Sequence, residues 1–170
     1  AYAAPNMRQF GHAPQQPSDS EPAVVSAIVS DVDGVASVSL EYEVVLPGDY
    51  IPALLAKPHS TLLSNPNGPR EPNPRYHDSA NWTSLPMLDD GSGVDAVAGD
   101  QIFSVSLPPQ VNRTLVRYRI TVADTAGASV RVPYDDDPSL NFAYYVYNGI
   151  PDFVAATRSV TGQVPYTHPK

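Results

Sequence analysis

The sequence predicts an all-β protein, an antiparallel β-sandwich of about seven strands that carries a long proline-rich insertion. Three observations lead there. Apolar residues recur at every second position in several short runs, the period of a strand with one buried and one wet face. Turn-forming clusters such as Asp-Gly, Pro-Pro and Asp-Thr-Ala-Gly separate these runs. No stretch carries the 3.6-residue period of an amphipathic helix, so the layers are sheet on sheet, with a closed barrel as the alternative. The 19 prolines among 170 residues push the same way, because proline has no place inside a helix.

The elements follow in order. Residues 1–20, rich in Pro, Gln and Ala, read as a linker or a first edge strand near residues 8–12. Residues 23–30 form a β-rich run that Asp31-Val-Asp-Gly34 stops with a turn. In residues 35–46, Val38, Leu40, Tyr42 and Val44 share one face, while Ser37, Ser39, Glu41 and Glu43 share the other. Residues 47–81 are irregular and proline-rich; 51–56 and 60–63 are the places for a short strand or a turn of helix. Strands are expected at 82–88 and at 102–107, the latter with Phe103, Val105 and Leu107 on one face. Residues 114–123 make the clearest strand, with Val116, Tyr118, Ile120 and Val122 inward and Arg117, Arg119 and Thr121 toward water. Runs at 128–132 and 141–147 complete a sandwich expected over 21–148, and residues 149–170 read as a linker to a following domain.

Charge and composition narrow the partners. The net charge of −8 opposes sequence-independent nucleic-acid binding and docking on anionic membranes, both of which need a basic surface. No apolar run approaches the roughly 18–20 residues of a membrane-spanning helix, so membrane insertion is not expected. With no cysteine, disulfides and thiolate zinc sites are excluded. The opening residues lack the regions of a secretion signal, and the chain reads as a segment of a larger protein.

One segment concentrates chemistry. Asp89, Asp90, Asp95 and Asp100 fall within twelve residues, with Gly91, Gly93 and Gly99 to let the backbone fold the carboxylates inward. Calcium takes six to eight oxygens from carboxylates and carbonyls, so these four aspartates are the candidate metal ligands and calcium is the candidate cofactor. The competing reading is a solvated turn in which the side chains cap backbone amides. Asp31 and Asp33 read as turn formers, and Asp135, Asp136 and Asp137 as a solvated charge run. No catalytic residues are assigned: there is no Gly-x-Ser-x-Gly elbow and no glycine-rich phosphate loop with its lysine. His12, His59, His77 and His168 fall in expected loops or linkers. Trp82, Tyr144, Tyr145 and Tyr147 could build a sugar-stacking platform or pack in the core; alternation puts Tyr145 and Tyr147 on one face and Tyr144 on the other. Asn81-Trp-Thr83 and Asn112-Arg-Thr114 match the glycosylation pattern by chance.

Four segments together resemble a known module. Residues 27–42, with Asp31-Val-Asp-Gly34, resemble the B–C hairpin of a bacterial immunoglobulin-like domain. Residues 82–91, Asp95-Ala-Val-Ala-Gly-Asp100 and Ile102-Phe103 resemble its acidic loop and following strand. Residues 116–127 resemble strand F and the F–G turn of fibronectin type III domains, and residues 141–151 the module's exit. Residues 21–151 are thus similar to the immunoglobulin/fibronectin type III-like accessory domain beside CotH kinase-like and lamin-tail domains in large bacterial exported proteins. The resemblance implies a secreted or cell-surface setting and a structural, spacer role without catalysis. It also implies partners among other domains of the same parent chain. The alternative is a glycan- or protein-binding module, stabilised by calcium. By the same likeness, Tyr118 is expected to hydrogen-bond to backbone.

If residues 114–123 carry the core, Ile120→Ala leaves a cavity worth about 2–5 kcal/mol, measured as a lower urea midpoint at unchanged slope. Burial of Arg117 and Arg119 in place of the apolar set would invert the register.

Overall fold

A computed structural model describes residues 3–150 together with two short strands beyond them. The strands are β1 (Asn6–Ala13), β2 (Ala23–Ser30), β3 (Val35–Val45), β4 (Thr83–Met87), β5 (Ile102–Leu107), β6 (Leu115–Asp124), β7 (Ser129–Val132) and β8 (Phe142–Tyr145). Two helical turns, α1 (His59–Ser64) and α2 (Pro74–His77), and a 3-10 turn at Ser79–Asn81 lie between β3 and β4. All strand pairs are antiparallel. One sheet has the order β1-β2-β5; the other has the order β4-β3-β6-β7, with β8 also on β6. The sandwich therefore has eight strands. The first, β1, occupies the stretch read as linker or edge strand. Of the stretch read as a trailing linker, β9 (Phe153–Ala155) and β10 (Tyr166–His168) pair with each other; residues 151–152, 156–165 and 169–170 lie outside the described residues, as do residues 1–2 of the leading stretch.

Alternation makes the core. In β2, Ala23, Val25, Ala27 and Val29 are buried while their neighbours are half-buried. In the opposing sheet β3 and β6 pair along their whole length, with Val38 opposite Val122, Leu40 opposite Ile120, Tyr42 opposite Tyr118 and Val44 opposite Val116. Val116, Tyr118, Ile120 and Val122 are all buried, as the alternation predicts. On β5, Leu107 is buried and Phe103 and Val105 pack partly against the core. Beyond β4 the chain crosses between sheets: Leu88 and Ser104 exchange two backbone hydrogen bonds of 3.0 and 2.9 Å.

The other face of β6 departs from expectation. Arg117 is 4% exposed and Glu43 3%, whereas alternation assigned both to water. The reason is the proline-rich excursion, which folds over the outer face of the β3–β6 ladder. Its two arms pair, with Leu55 N–H donating to Glu71 O at 2.8 Å and Asn73 N–H to Ala53 O at 2.9 Å. Asn73 locks the corner: its Oδ1 accepts from Arg75 N–H at 3.1 Å, capping α2, and its Nδ2 donates to Pro52 O at 2.8 Å. Lys57 gathers the carbonyls of Asn65, Pro66 and Gly68. Of the two places marked for local structure, 60–63 lies in α1, and 51–56 contributes Leu54 to a bridge with Pro72.

The cover meets the sheet through charge and aromatic rings. Arg117 donates to Glu43 Oε2 at 3.2 Å and to Ile51 O at 2.8 Å. Its guanidinium lies 4.9 Å from the Tyr50 ring centre and 5.0 Å from that of Tyr76. Arg119 donates to Glu41 at 2.7 Å and sits 4.1 Å from the Trp82 ring centre. Trp82 Nε1 in turn donates to Tyr76 O at 3.1 Å, and the Tyr76 hydroxyl to Asn141 Oδ1. The register is not inverted: the apolar face of β6 is buried throughout, and on the other face Arg117 is buried and ion-paired while Arg119 is half-buried.

Cutting the buried pair on one side strands the other charge. Arg117→Ala is expected to cost about 3–5 kcal/mol, while Arg117→Met with Glu43→Leu is expected to be near neutral. Urea denaturation of Arg117→Ala and of the double variant checks this; a double variant as unstable as Arg117→Ala would show that the pair is not the coupling element.

Candidate functional site

The acidic residues gather at one end of the sandwich. Loop 89–100 leaves β4 beside the start of β3 and returns as β5. It brings Asp89, Asp95 and Asp100 together, one carboxylate oxygen of each lying within 4.8 Å of the others. Asp90 stays outside that group. Its Oδ1 accepts from Ser92 N–H at 3.0 Å and Ser92 Oγ at 2.7 Å, and these bonds hold its carboxyl below the usual carboxylate range.

Backbone amides account for the loop's shape. Asp89 accepts from three of them, Gly99 at 2.7 Å, Asp100 at 3.2 Å and Gln101 at 2.9 Å. Asp95, 6% exposed, accepts from Gly91 N–H at 2.6 Å, and Asp100 from Ile102 N–H at 2.9 Å. Gly91 has a positive φ of 69°, and a Cβ there would come within 3.0 Å of Ala98 N. Carboxylates bridging turns in this way are the capping pattern weighed for these residues. Three of the four predicted ligands converge, each carrying at least one amide bond. Asp135 pairs with Arg131 at 2.7 Å at the exposed surface, and Asp137 accepts from Tyr134 N–H at 2.8 Å.

His12 is on β1, not in a loop, and reaches across the core. Its Nε2 faces the Gln15 carbonyl at 3.3 Å, which can only accept; Nδ1 is then left to accept from the Tyr118 hydroxyl at 2.9 Å. Tyr118 therefore bonds to a side chain of the facing sheet, not to backbone. Burial pushes the Tyr118 phenol well above its ordinary value. Tyr144, stacked 5.0 Å from the His12 ring, is buried and pushed up to about 12. Trp82 is buried under the cover. Tyr145 is exposed and Tyr147 half-buried, their rings 6.2 Å apart and tilted 33°.

Between the cover and β8 lies a cleft of about 510 Å³, bounded by Tyr50, Leu54, Tyr76, Leu115, Leu140 and Ala143. Leu115 pairs with Tyr145, and alternation puts Tyr145 on the same outer face as Ala143, next along the strand. The residues that wall this cleft come from 47–81 and 138–143, over a floor of Leu115 and Arg117 on β6. The latter is an insertion: Val132 and Phe142 pair two positions apart on β6 but lie ten apart in sequence. Periodicity does not mark such a wall. One available signal was the matched Glu41-x-Glu43 and Arg117-x-Arg119 spacing, which places two ion pairs on one sheet face.

The raised phenols give a pH dependence. Unfolded tyrosines ionise near 10 and Tyr144 near 12 when folded, so above pH 10 the unfolded state loses protons first. Stability is complete below about pH 10 and falls as pH rises toward 12. Melting temperature followed from pH 9 to 12 is expected to show this fall, and Tyr144→Phe to flatten it; an unchanged slope would remove Tyr144 as a cause. Set beside known proteins, the chain matches no family model and no curated protein.

Proposed function

We propose that this chain is a non-catalytic structural module, a rigid β-sandwich that spaces or positions neighbouring domains of a larger exported bacterial protein. The observation that carries the reading is the bracing of the β3–β6 ladder from both sides. One face packs on the second sheet, and the proline-rich cover buries the Glu43–Arg117 end of the other and half-buries Arg119. A scaffold braced on both faces resists bending, as a spacer requires. The likeness of residues 21–151 to accessory domains beside CotH kinase-like and lamin-tail domains supports the setting. Among the described residues no helix is long and apolar enough to cross a membrane.

A second reading rests on a separate observation: the outer cleft lies beside Tyr145, which is 40% exposed, shares the outer face of Ala143 and packs near the half-buried Tyr147. Aromatic faces beside an apolar cleft on a rigid scaffold suit a glycan or a partner protein.

Two measurements separate the readings. The spacer reading expects no hydrolytic or phosphotransfer turnover by the isolated chain, and no retention on a glycan array at high micromolar concentration. Turnover that a single-residue change abolishes would overturn it. Glycan binding lost in Tyr145→Ala but kept in Tyr144→Phe would establish the second reading in its place.

A further inference from the structure

Three more aspartates meet at the same end of the sandwich. Asp31 and Asp33 belong to the β2–β3 turn, and Asp124 ends β6. One carboxylate oxygen of each lies within 4.8 Å of the other two. Acidic side chains often crowd at turns, so convergence alone decides nothing. What sets this trio apart is the state of its buried oxygens. Asp124 is 3% exposed. Its Oδ1 accepts from Ala128 N–H at 2.7 Å, while its Oδ2 is sealed from solvent and has no donor. Asp31 repeats the arrangement: Oδ1 accepts from Asp33 N–H at 2.7 Å, and Oδ2 is sealed without a partner. Backbone amides thus orient both carboxylates and leave the second oxygen of each unsatisfied. An anionic oxygen removed from water without a partner is costly. Among the described residues, no ion pair with arginine or lysine involves these three aspartates.

We propose that Asp31, Asp33 and Asp124 bind a calcium ion that ties the β2–β3 turn to the end of β6. The ligand set is all oxygen, anionic and drawn from the β2–β3 turn and the end of β6. Calcium accepts such a set in irregular six- to eightfold coordination, completed by carbonyls and water, whereas magnesium demands near-octahedral geometry. The turns are already coupled: Thr125 Oγ1 donates to Asp33 O, and Thr125 N–H to Gly34 O at 3.0 Å. Gly34 has φ +96°, the left-handed region that turns the chain directly after Asp33. Since β2 lies in one sheet and β3 and β6 in the other, the ion clamps the two sheets at one end. This site is separate from Asp89, Asp95 and Asp100, whose carboxylates have amide donors and no sealed, unpartnered oxygen.

Calorimetric titration of the full chain with calcium after EDTA treatment, with parallel melting curves, tests the proposal. The dissociation constant is expected at about 10⁻⁴–10⁻³ M, as for extracellular modules. Calcium at ten times that value would raise the folded-to-unfolded ratio about elevenfold. Asp33 is exposed, and Asp33→Asn leaves in place the buried Asp124 and the half-buried Asp31 with their sealed oxygens. It is expected to melt like the parent chain in EDTA and to bind calcium about tenfold more weakly or worse. Asp124→Asn is expected to abolish binding, and Asp95→Asn to leave it intact. Equal melting of the parent chain in calcium and EDTA would overturn the site. So would parental affinity in Asp33→Asn, which decides the matter alone if Asp124→Asn does not fold. Loss confined to Asp95→Asn would place the ion in loop 89–100.

Discussion

The antiparallel register of β3 against β6 constrains everything outside the core. It sets Glu43 opposite Arg117 and Glu41 opposite Arg119 on one face, as it sets Leu40 opposite Ile120 on the other. Charges on a sheet face are harmless in water. Once that face is covered, each must be paired and hydrogen-bonded, because an isolated ion in a low-dielectric interior is far costlier than any packing it permits. Arg117 meets the requirement with Glu43, the Ile51 carbonyl and two aromatic rings. The composition of the cover follows. Tyr50, Tyr76 and Trp82 present ring faces to guanidinium groups, which are weakly hydrated and stack well.

The covering segment suits its task because prolines reduce the freedom it loses on folding. Its hydrogen bonds are largely internal, between its own arms and through Asn73 and Lys57. It thus packs on the ladder as an internally braced segment. The molecule has two different working regions as a result. One is the outer cleft between cover and β8, apolar and aromatic. The other is the acidic end, where three turns bring aspartates from β2–β3, β4–β5 and β6–β7 together. Loop 89–100 satisfies its carboxylates with its own amides; the Asp31, Asp33 and Asp124 group leaves two oxygens without donors. That difference, not the number of aspartates, separates a capped turn from a cation site.

Much of the fold was legible in the sequence. Ala-Val-Val-Ser-Ala-Ile-Val-Ser and the Val38 to Val44 alternation marked β2 and β3 within a residue or so, Asp31-Val-Asp-Gly34 marked the turn between them, and Pro108-Pro109 marked the end of β5. The acidic loop was placed correctly, and three of its four named aspartates converge. Asp90 falls outside the group because its carboxylate turns to Ser92, a direction that spacing alone does not encode. Asp124 was read as part of a turn because it precedes Thr-Ala-Gly, and only the fold brings it to Asp31. His12 reads as a loop or linker residue from sequence because β1 lacks clean alternation: Gln9 has a positive φ of 48° and the pairing slips between Arg8 and Gly11.

By itself, the sequence determined the strands, the turns and which residues face the shared core, because period-two burial and turn chemistry are local. It also bounded the partners through charge and the lack of cysteine. What only the tertiary structure decided is what lies on the second face of each strand. Polar residues at alternate positions look the same whether water or another part of the chain covers them. Arg117 and Glu43 are polar in either case, and nothing near them in sequence reports that residues 47–81 fold back over them. The same holds for the two carboxylates at the acidic end: their isolation comes from contacts between turns some ninety residues apart, as the 92-residue separation of Thr125 from Asp33 shows, and local pattern carries no record of such contacts.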